Sequence, residues 1–234
     1  MGVVVVAAGR GARVGGETVK QYRLIRGVPM VLRALHPFML HPDVAQIVLV
    51  LPPDDAVHPP GFLSALFAPS SSSSSSPLTV VSGGSHRGDS VRAGLRALRE
   101  ECSVVLVHDG ARPFVDRGVI EAVIGFARAG QGAVPAVPLS DTLKEASSHD
   151  STLIRCTRPR ARLWRAQTPQ GFPRAVLEEA HARAERVGRR ATDDAALVEA
   201  MGVPVRLVPD SFRNFKVTTP EDLALAELLA EASP

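Results

Sequence analysis

Only two cysteines, Cys102 and Cys156, occur in the 234 residues. They lie far apart and lack metal-ligand spacing, which argues against a disulfide framework or a thiolate metal site and suits a reducing, cytoplasmic setting. Aromatics are just 4% of the chain, with one tryptophan and one tyrosine. Although the net charge is +3 and the pI near 9.3, opposite charges are interspersed, so nothing resembles a nucleic-acid-binding surface. No apolar run approaches the roughly 20 residues that span a bilayer. No basic stretch precedes the first valines as in a signal peptide, and Val6 stands where a myristoylation start needs Ser or Thr. The seven histidines show no metal-ligand spacing. Neither a membrane nor a nucleic acid is therefore expected as a partner.

What the chain does have is 45% hydrophobic residues and a mean hydropathy near zero, enough to bury the core of one α/β domain over residues 1–234. It opens on MGVVVVAAGRGARVGG. The unbroken apolar run Val3 to Val6 suits a strand covered on both faces of a parallel sheet. The loop after it then leaves the sheet's carboxyl edge, where open α/β sheets bind ligands, and glycines at 9, 11, 15 and 16 allow close backbone approach. A phosphate-binding P-loop needs Lys and Ser/Thr after its second glycine, but Glu17 and Thr18 follow Gly16. A dinucleotide fingerprint needs glycine at Val14 and an acidic residue about 20 positions on, and has neither. There remains a glycine-rich turn with Arg10, Arg13 and Lys20, cations suited to a polyphosphate.

Strand and helix patterns then alternate, as βαβ units require. A helix is expected over 29–40 and a buried strand over 45–51. The unbroken serine run within residues 69–77 is too polar to pack and reads as a flexible loop. A strand follows at 78–84. Asp89 and Ser90 lead a helix carrying Val91, Leu95 and Leu98 on one face, with Arg92, Arg96 and Arg99 on solvated faces. The buried strand within 103–114 ends in His108, Asp109, Arg112 and Pro113 at the same carboxyl edge. His108 reads as a packed, hydrogen-bonded residue and not a base. A helix (119–127) and a strand (133–139) come before a polar hairpin arm at about 140–160, whose need for something to pack on points to a partner subunit. Trp164 reads as core, and Asp193 and Asp194 as helix-N-terminal acids. Two helices (174–187 and 193–201) and a strand follow, then a helix opened by Thr219, Pro220 and Asp222, which sets Lys216 on the strand edge beside Arg13 and Asp109.

Eight segments stand in a distinctive order: AAGRGARVGG with KQY, GGSHRGDS, HDGARP, DTLK, TPQ, ATDDA and NFKVTTPEDLALAE. Together they resemble the 2-C-methyl-D-erythritol 4-phosphate cytidylyltransferase family of the non-mevalonate isoprenoid pathway. The likeness runs nearly the whole chain, sparing mainly 53–77. It implies an α/β, Rossmann-like nucleotidyltransferase fold with a mostly parallel twisted sheet, helices on both faces and a protruding β-hairpin arm. It also implies a homodimer with swapped arms and Mg2+-dependent transfer of CMP from CTP to a polyol phosphate. Carried over by position, Ala7, Ala8, Gly9, Gly11, Gly84, Ser85 and Ser90 fall around the nucleotide. Arg13, Lys20 and Lys216 fall on its phosphates as the catalytic cations. Asp109, Arg112, Thr142, Arg160, Thr168, Thr192 and Lys216 fall on the acceptor side, with Arg112, Thr142, Arg160 and Thr192 reaching in from the other subunit. Asp109 also stands with the CTP contacts and as a protein ligand to Mg2+ otherwise held by phosphates.

Two positions depart from the family pattern. Ser85 stands where an aspartate is common beside the base, and Val19 replaces the proline before KQY. A ribitol or other polyol-phosphate cytidylyltransferase on the same scaffold is the nearest alternative. A non-catalytic nucleotide-binding regulator is the alternative from another class, and the presence of both Lys20 and Lys216 counts against it.

Overall fold

The computed structural model describes residues 1–9, 19–67 and 78–231. Gly11, Arg13 and the serine run lie outside them. In chain order the elements are β1 (Gly2–Val6), β2 (Leu24–Ile25), β3 (Val28–Pro29), α1 (Met30–Met39), β4 (Gln46–Leu51), α2 (Pro53–Val57), α3 (Gly61–Phe67), β5 (Leu78–Ser82) and α4 (Arg87–Ala97). Then come β6 (Val104–Asp109), α5 (Arg117–Arg128), β7 (Gly132–Pro138), β8 (Leu143–Ala146), β9 (Ile154–Arg158), β10 (Trp164–Ala166) and β11 (Gln170–Pro173). α6 (Arg174–Arg186), α7 (Ala195–Glu199), β12 (Val205–Pro209) and α8 (Pro220–Glu231) complete the chain.

Eight strands form the central sheet in the order β10-β7-β11-β6-β1-β4-β5, with β12 also paired to β7. The β6-β1-β4-β5 half is parallel, and β12 runs parallel to β7, while β10 and β11 pair antiparallel. The valine run explains the centre. Because side chains alternate along a strand, Val3 and Val5 point to one face and Val4 to the other, and a strand apolar at every position is stable only if both faces are covered. One face packs against Val31, Leu35 and Phe38 of α1 and Ile120, Val123 and Ile124 of α5. The other packs against Val91 and Leu95 of α4 and Leu177, Ala180 and Ala184 of α6. A third, smaller cluster of Ile25, Met30, Ala111, Val217 and Ala226 docks α8 and the β2-β3 hairpin beside the end of β6.

The arm is present as β8 and β9, an antiparallel pair forming its own two-stranded sheet apart from the central one. Three expectations need correction. The helix expected to begin at Asp89 begins at Arg87, because His86 is the capping residue. The Asp89 side chain at the third helical position accepts from the His86 backbone N–H at 3.0 Å. Leu98 lies just past the helix end yet packs in the same cluster as Val91 and Leu95, and Arg92 is half-buried, paired with Asp89 at 2.6 Å. Trp164 is not core: it sits on edge strand β10 with 39% of its surface exposed.

Candidate functional site

Three loops leave the carboxyl ends of adjacent parallel strands and continue their ladders for one more bond. Ala7 N–H donates to Val50 O at 2.8 Å, Gly83 N–H to Leu51 O at 2.8 Å and Gly110 N–H to Val6 O at 2.9 Å. Between these loops opens a cleft of about 730 Å³. Its walls include Ala7, Ala8 and Gly9 after β1, Pro52 and Pro53 after β4, Gly83 to Arg87 and Ser90 after β5, and Asp109 to Ala111 at the end of β6. Lys20, Gln21 and Lys216 close it. The crowding explains two glycines: a Cβ on Gly83 would lie 2.3 Å from the Ala8 Cβ, and one on Gly84 2.3 Å from the Asp89 Cβ. Ser90 is buried and braces this loop, its Oγ accepting from Gly84 N–H at 3.2 Å and donating to His86 O at 3.3 Å.

Asp109, buried at the strand end, gathers the cations. Lys216 Nζ is 2.8 Å from its Oδ2, Arg87 Nε is 3.3 Å from its Oδ1, and Arg112 Nε is 3.9 Å from Oδ2. Burial alone would raise its pKa. Arg87 and Lys216, with Arg112 behind them, overcome that and hold the carboxyl well below the usual carboxylate range. Arg87 also reaches away from the cleft, its Nη1 lying 2.8 Å from Asp194 Oδ2, while the other Asp194 oxygen is 2.9 Å from His181 Nε2. Burial opposes the charge on Arg87, but the two carboxylates raise its pKa and keep it cationic. Asp194 is held low in the same way, burial raising its pKa and Arg87 and His181 lowering it further.

Behind Asp109 lies a neutral histidine. His108 is fully buried, and because a carbonyl can only accept, its Nε2–H donates to Arg112 O at 3.0 Å. Its Nδ1 then accepts from the Thr168 hydroxyl at 2.9 Å, while that oxygen accepts from Asp109 N–H at 3.0 Å. The network needs an unprotonated ring, and burial, the largest influence, pushes the imidazole down to about 4. Since the unfolded chain takes up this proton near pH 6.5 and the folded chain does not, stability falls as pH drops from 6.5 toward 4. The expected loss from this group is about 2 kcal/mol between pH 8 and pH 5. Asp109 and Asp194, with depressed pKa values, withdraw their contribution only at more acid pH. Urea unfolding of wild type and His108→Gln at both pH values tests this: the variant is expected to lose about 2 kcal/mol less than wild type, and equal losses would refute it.

Of the residues chosen from sequence, the structure brings Ala7, Ala8, Gly9, Lys20, Gly84, Ser85, Ser90, Asp109 and Lys216 to one cleft. Gly11 and Arg13 are outside the described residues. Thr168 is placed behind Asp109, its hydroxyl engaged by the Asp109 backbone N–H and by His108, so it orders the strand end and is not among the cleft residues. Arg112, read from the resemblance as reaching in from the other subunit, is engaged within its own chain. It is buried in its own chain, donating through Nη1 to Asn214 O at 2.6 Å and, more weakly, through Nη2 to Ala166 O at 3.4 Å. Thr142 and Arg160 belong to the arm region and are not among the cleft residues of their own chain. Thr192 lines a second hollow, of about 500 Å³, which shares His86 and Arg87 with the cleft. Asp193 does cap α7, accepting from Ala196 N–H at 3.1 Å, whereas Asp194 is a buried ion-pair partner. The sequence reading missed Arg87, whose signal was its place inside GGSHRGDS, and Gln170, whose Oε1 accepts from Asp194 N–H at 3.1 Å.

A model of the 2-C-methyl-D-erythritol 4-phosphate cytidylyltransferase family matches residues 1–232 of this chain. The enzyme of that name from Syntrophus aciditrophicus is 40% identical over 228 residues, covering 96% of this chain and 93% of its own. That from Streptomyces coelicolor is 43% identical over 229 residues, covering 96% and 82%. The crystal structure of the same-named enzyme from Thermus thermophilus matches with a TM-score of 0.78 at 36% identity, over 97% of this chain and 98% of that one. A bifunctional relative from Desulforudis audaxviator is 44% identical, and the chain spans 57% of its length.

Proposed function

The chain belongs to the 2-C-methyl-D-erythritol 4-phosphate cytidylyltransferase family, and from that premise we propose how its cleft transfers CMP from CTP to 2-C-methyl-D-erythritol 4-phosphate. The cytosine and ribose lie along Ala7, Ala8, Gly9, Gly84 and Ser85, where side chains are small and backbone groups are near. The triphosphate lies toward Lys20 and Lys216, joined by Gly11 and Arg13 from the glycine-rich loop. A phosphate oxygen of the acceptor attacks the α-phosphorus, the new P–O bond forms as the bond to the β-phosphate breaks, and pyrophosphate leaves with the electron pair. The attacking oxygen is already anionic, so no base has to remove a proton from it. The protein positions two polyanions and stabilises the charge that builds on the leaving group.

The observation that carries this reading is one cleft lined by Lys20, Arg87 and Lys216, the last two paired with the carboxylate of Asp109. Among the described residues no group of three or more His, Cys, Asp or Glu is placed to hold a metal. Ionised Asp109 would be the protein's hard oxygen donor to a Mg2+ ion bound with the triphosphate. Mg2+ held so would supply further neutralisation of phosphate charge. The acceptor site is completed by a second copy of the chain, whose exchanged arm brings Thr142 and Arg160. The support for this is an arm standing apart from the central sheet with Leu153 and Ile154 60% and 64% exposed. Two free cysteines and the lack, among the described residues, of a helix long and apolar enough to cross a membrane accord with a cytoplasmic enzyme.

Pyrophosphate release tests the assignment. CTP with 2-C-methyl-D-erythritol 4-phosphate is expected to give turnover, and ribitol 5-phosphate far less. A pocket shaped by Ala7, Ala8 and Gly84 leaves room for one pyrimidine ring, so kcat/KM for CTP is expected to exceed that for ATP and GTP by at least about a hundredfold. The margin over UTP is expected to be smaller, because Ser85 replaces a charged base contact. Comparable kcat/KM for ATP and CTP would refute the base-pocket reading.

A further inference from the structure

Lys20 stands on a single 3-10 turn, Lys20–Tyr22. A cation of the cleft needs its ammonium fixed to within a fraction of an ångström, so whatever holds this turn bears on that placement. The anchoring is visible two residues on. The Tyr22 hydroxyl donates to Asp55 Oδ2 at 2.6 Å, a short, charge-assisted bond, and its ring meets Phe62 of α3 edge-on at 5.4 Å between centroids. Asp55 belongs to α2, which starts at Pro53, and Pro52 and Pro53 are themselves walls of the cleft. Gln21, between the two, is buried and also faces the cleft. The bond therefore ties the lysine-bearing turn to the cleft wall that follows β4.

We propose that the Tyr22–Asp55 hydrogen bond is a positioning latch that sets Lys20 against the triphosphate, so that both residues act on catalysis through Lys20. Burial, and then the bond to Asp55, raise the Tyr22 pKa above its ordinary value, so the hydroxyl keeps its proton through the neutral range and the latch stays closed. The inference rests on the reading of Lys20 as a phosphate-binding cation.

Tyr22→Phe removes the hydroxyl and retains the ring on Phe62, so it isolates the latch from the packing. Single-turnover CMP transfer is measured for Tyr22→Phe in the wild-type and Lys20→Ala backgrounds. In wild type the variant is expected to be about tenfold slower, with KM for the methylerythritol phosphate unchanged; in Lys20→Ala it is expected to cost less than about twofold, since a latch without its lysine has nothing to position. Asp55→Asn should show the same pattern, and the double variant Tyr22→Phe/Asp55→Asn should be no slower than either alone. Equal losses in both backgrounds, or no loss in wild type, overturn the latch while leaving Lys20 in its role. A Lys20→Ala enzyme as fast as wild type overturns the role of Lys20, and the latch with it.

Discussion

Lys216→Ala is expected to slow single-turnover CMP transfer at least about a hundredfold, the loss of about 3 kcal/mol that follows removal of one well-placed donor from developing anionic charge. Lys216 lines the cleft and lies 2.8 Å from Asp109, with its side chain 40% exposed. That exposure separates two effects of the substitution. A pair this open to solvent contributes about 1 kcal/mol or less to folding, and Asp109 keeps Arg87 and Arg112 after the ammonium is gone. The variant should therefore unfold in urea within about 1 kcal/mol of wild type while its chemistry collapses. Transfer within threefold of wild type would show that the lysine serves Asp109 and not the triphosphate. Lys20→Ala is expected to fall as far, because it removes the cation on the other side of the cleft.

The parts of this architecture legible in the sequence are those in which one residue's chemistry decides its own environment. Val3 to Val6 and Gln46 to Leu51 are apolar at nearly every position, so their burial on both faces and their parallel pairing follow from composition. Thr219, Pro220 and Asp222 mark the start of α8 because capping is local: Asp222 Oδ2 accepts from Thr218 N–H at 2.7 Å and Thr219 N–H at 2.9 Å. Motif order carried most of the cleft. What stayed hidden depends on residues distant in sequence meeting in space. Arg87 and Asp194 are 107 positions apart, and so are Lys216 and Asp109. A charged residue at a helix start looks solvated until its two carboxylate partners arrive from other loops. The partners of Arg112 were hidden for the same reason. Its motif position marked it as important, but only the packed chain shows its guanidinium engaged by the backbone at Asn214. Trp164 was misplaced because an edge strand leaves one flank open whatever the side chain's apolarity.

Two inactive subunits are expected to restore activity when mixed, because the proposed acceptor site draws on both chains. Lys216 lines the cleft of its own chain. Arg160 does not: it lies at the base of the arm, its guanidinium donating to Ser140 O on the opposite side of the hairpin. If the arm crosses a two-fold axis, Arg160 meets the acceptor phosphate in the neighbour's cleft, where a planar guanidinium can bind two phosphate oxygens at once. In a heterodimer of Lys216→Ala with Arg160→Ala, one cleft carries both substitutions and the other carries neither. Random reassociation of equal amounts makes half of the dimers mixed, and each mixed dimer has one intact site of two. Activity should therefore recover to about a quarter of wild type from components that are each nearly inactive. Co-refolding the two variants, separating the heterodimer by a charge tag and measuring pyrophosphate release distinguishes the arrangements. A heterodimer that forms and stays as inactive as its parents would place Arg160 in the service of its own chain. A mixture in which no dimer forms would remove the partner from the mechanism, and the arm would then need another explanation for its exposed Leu153 and Ile154.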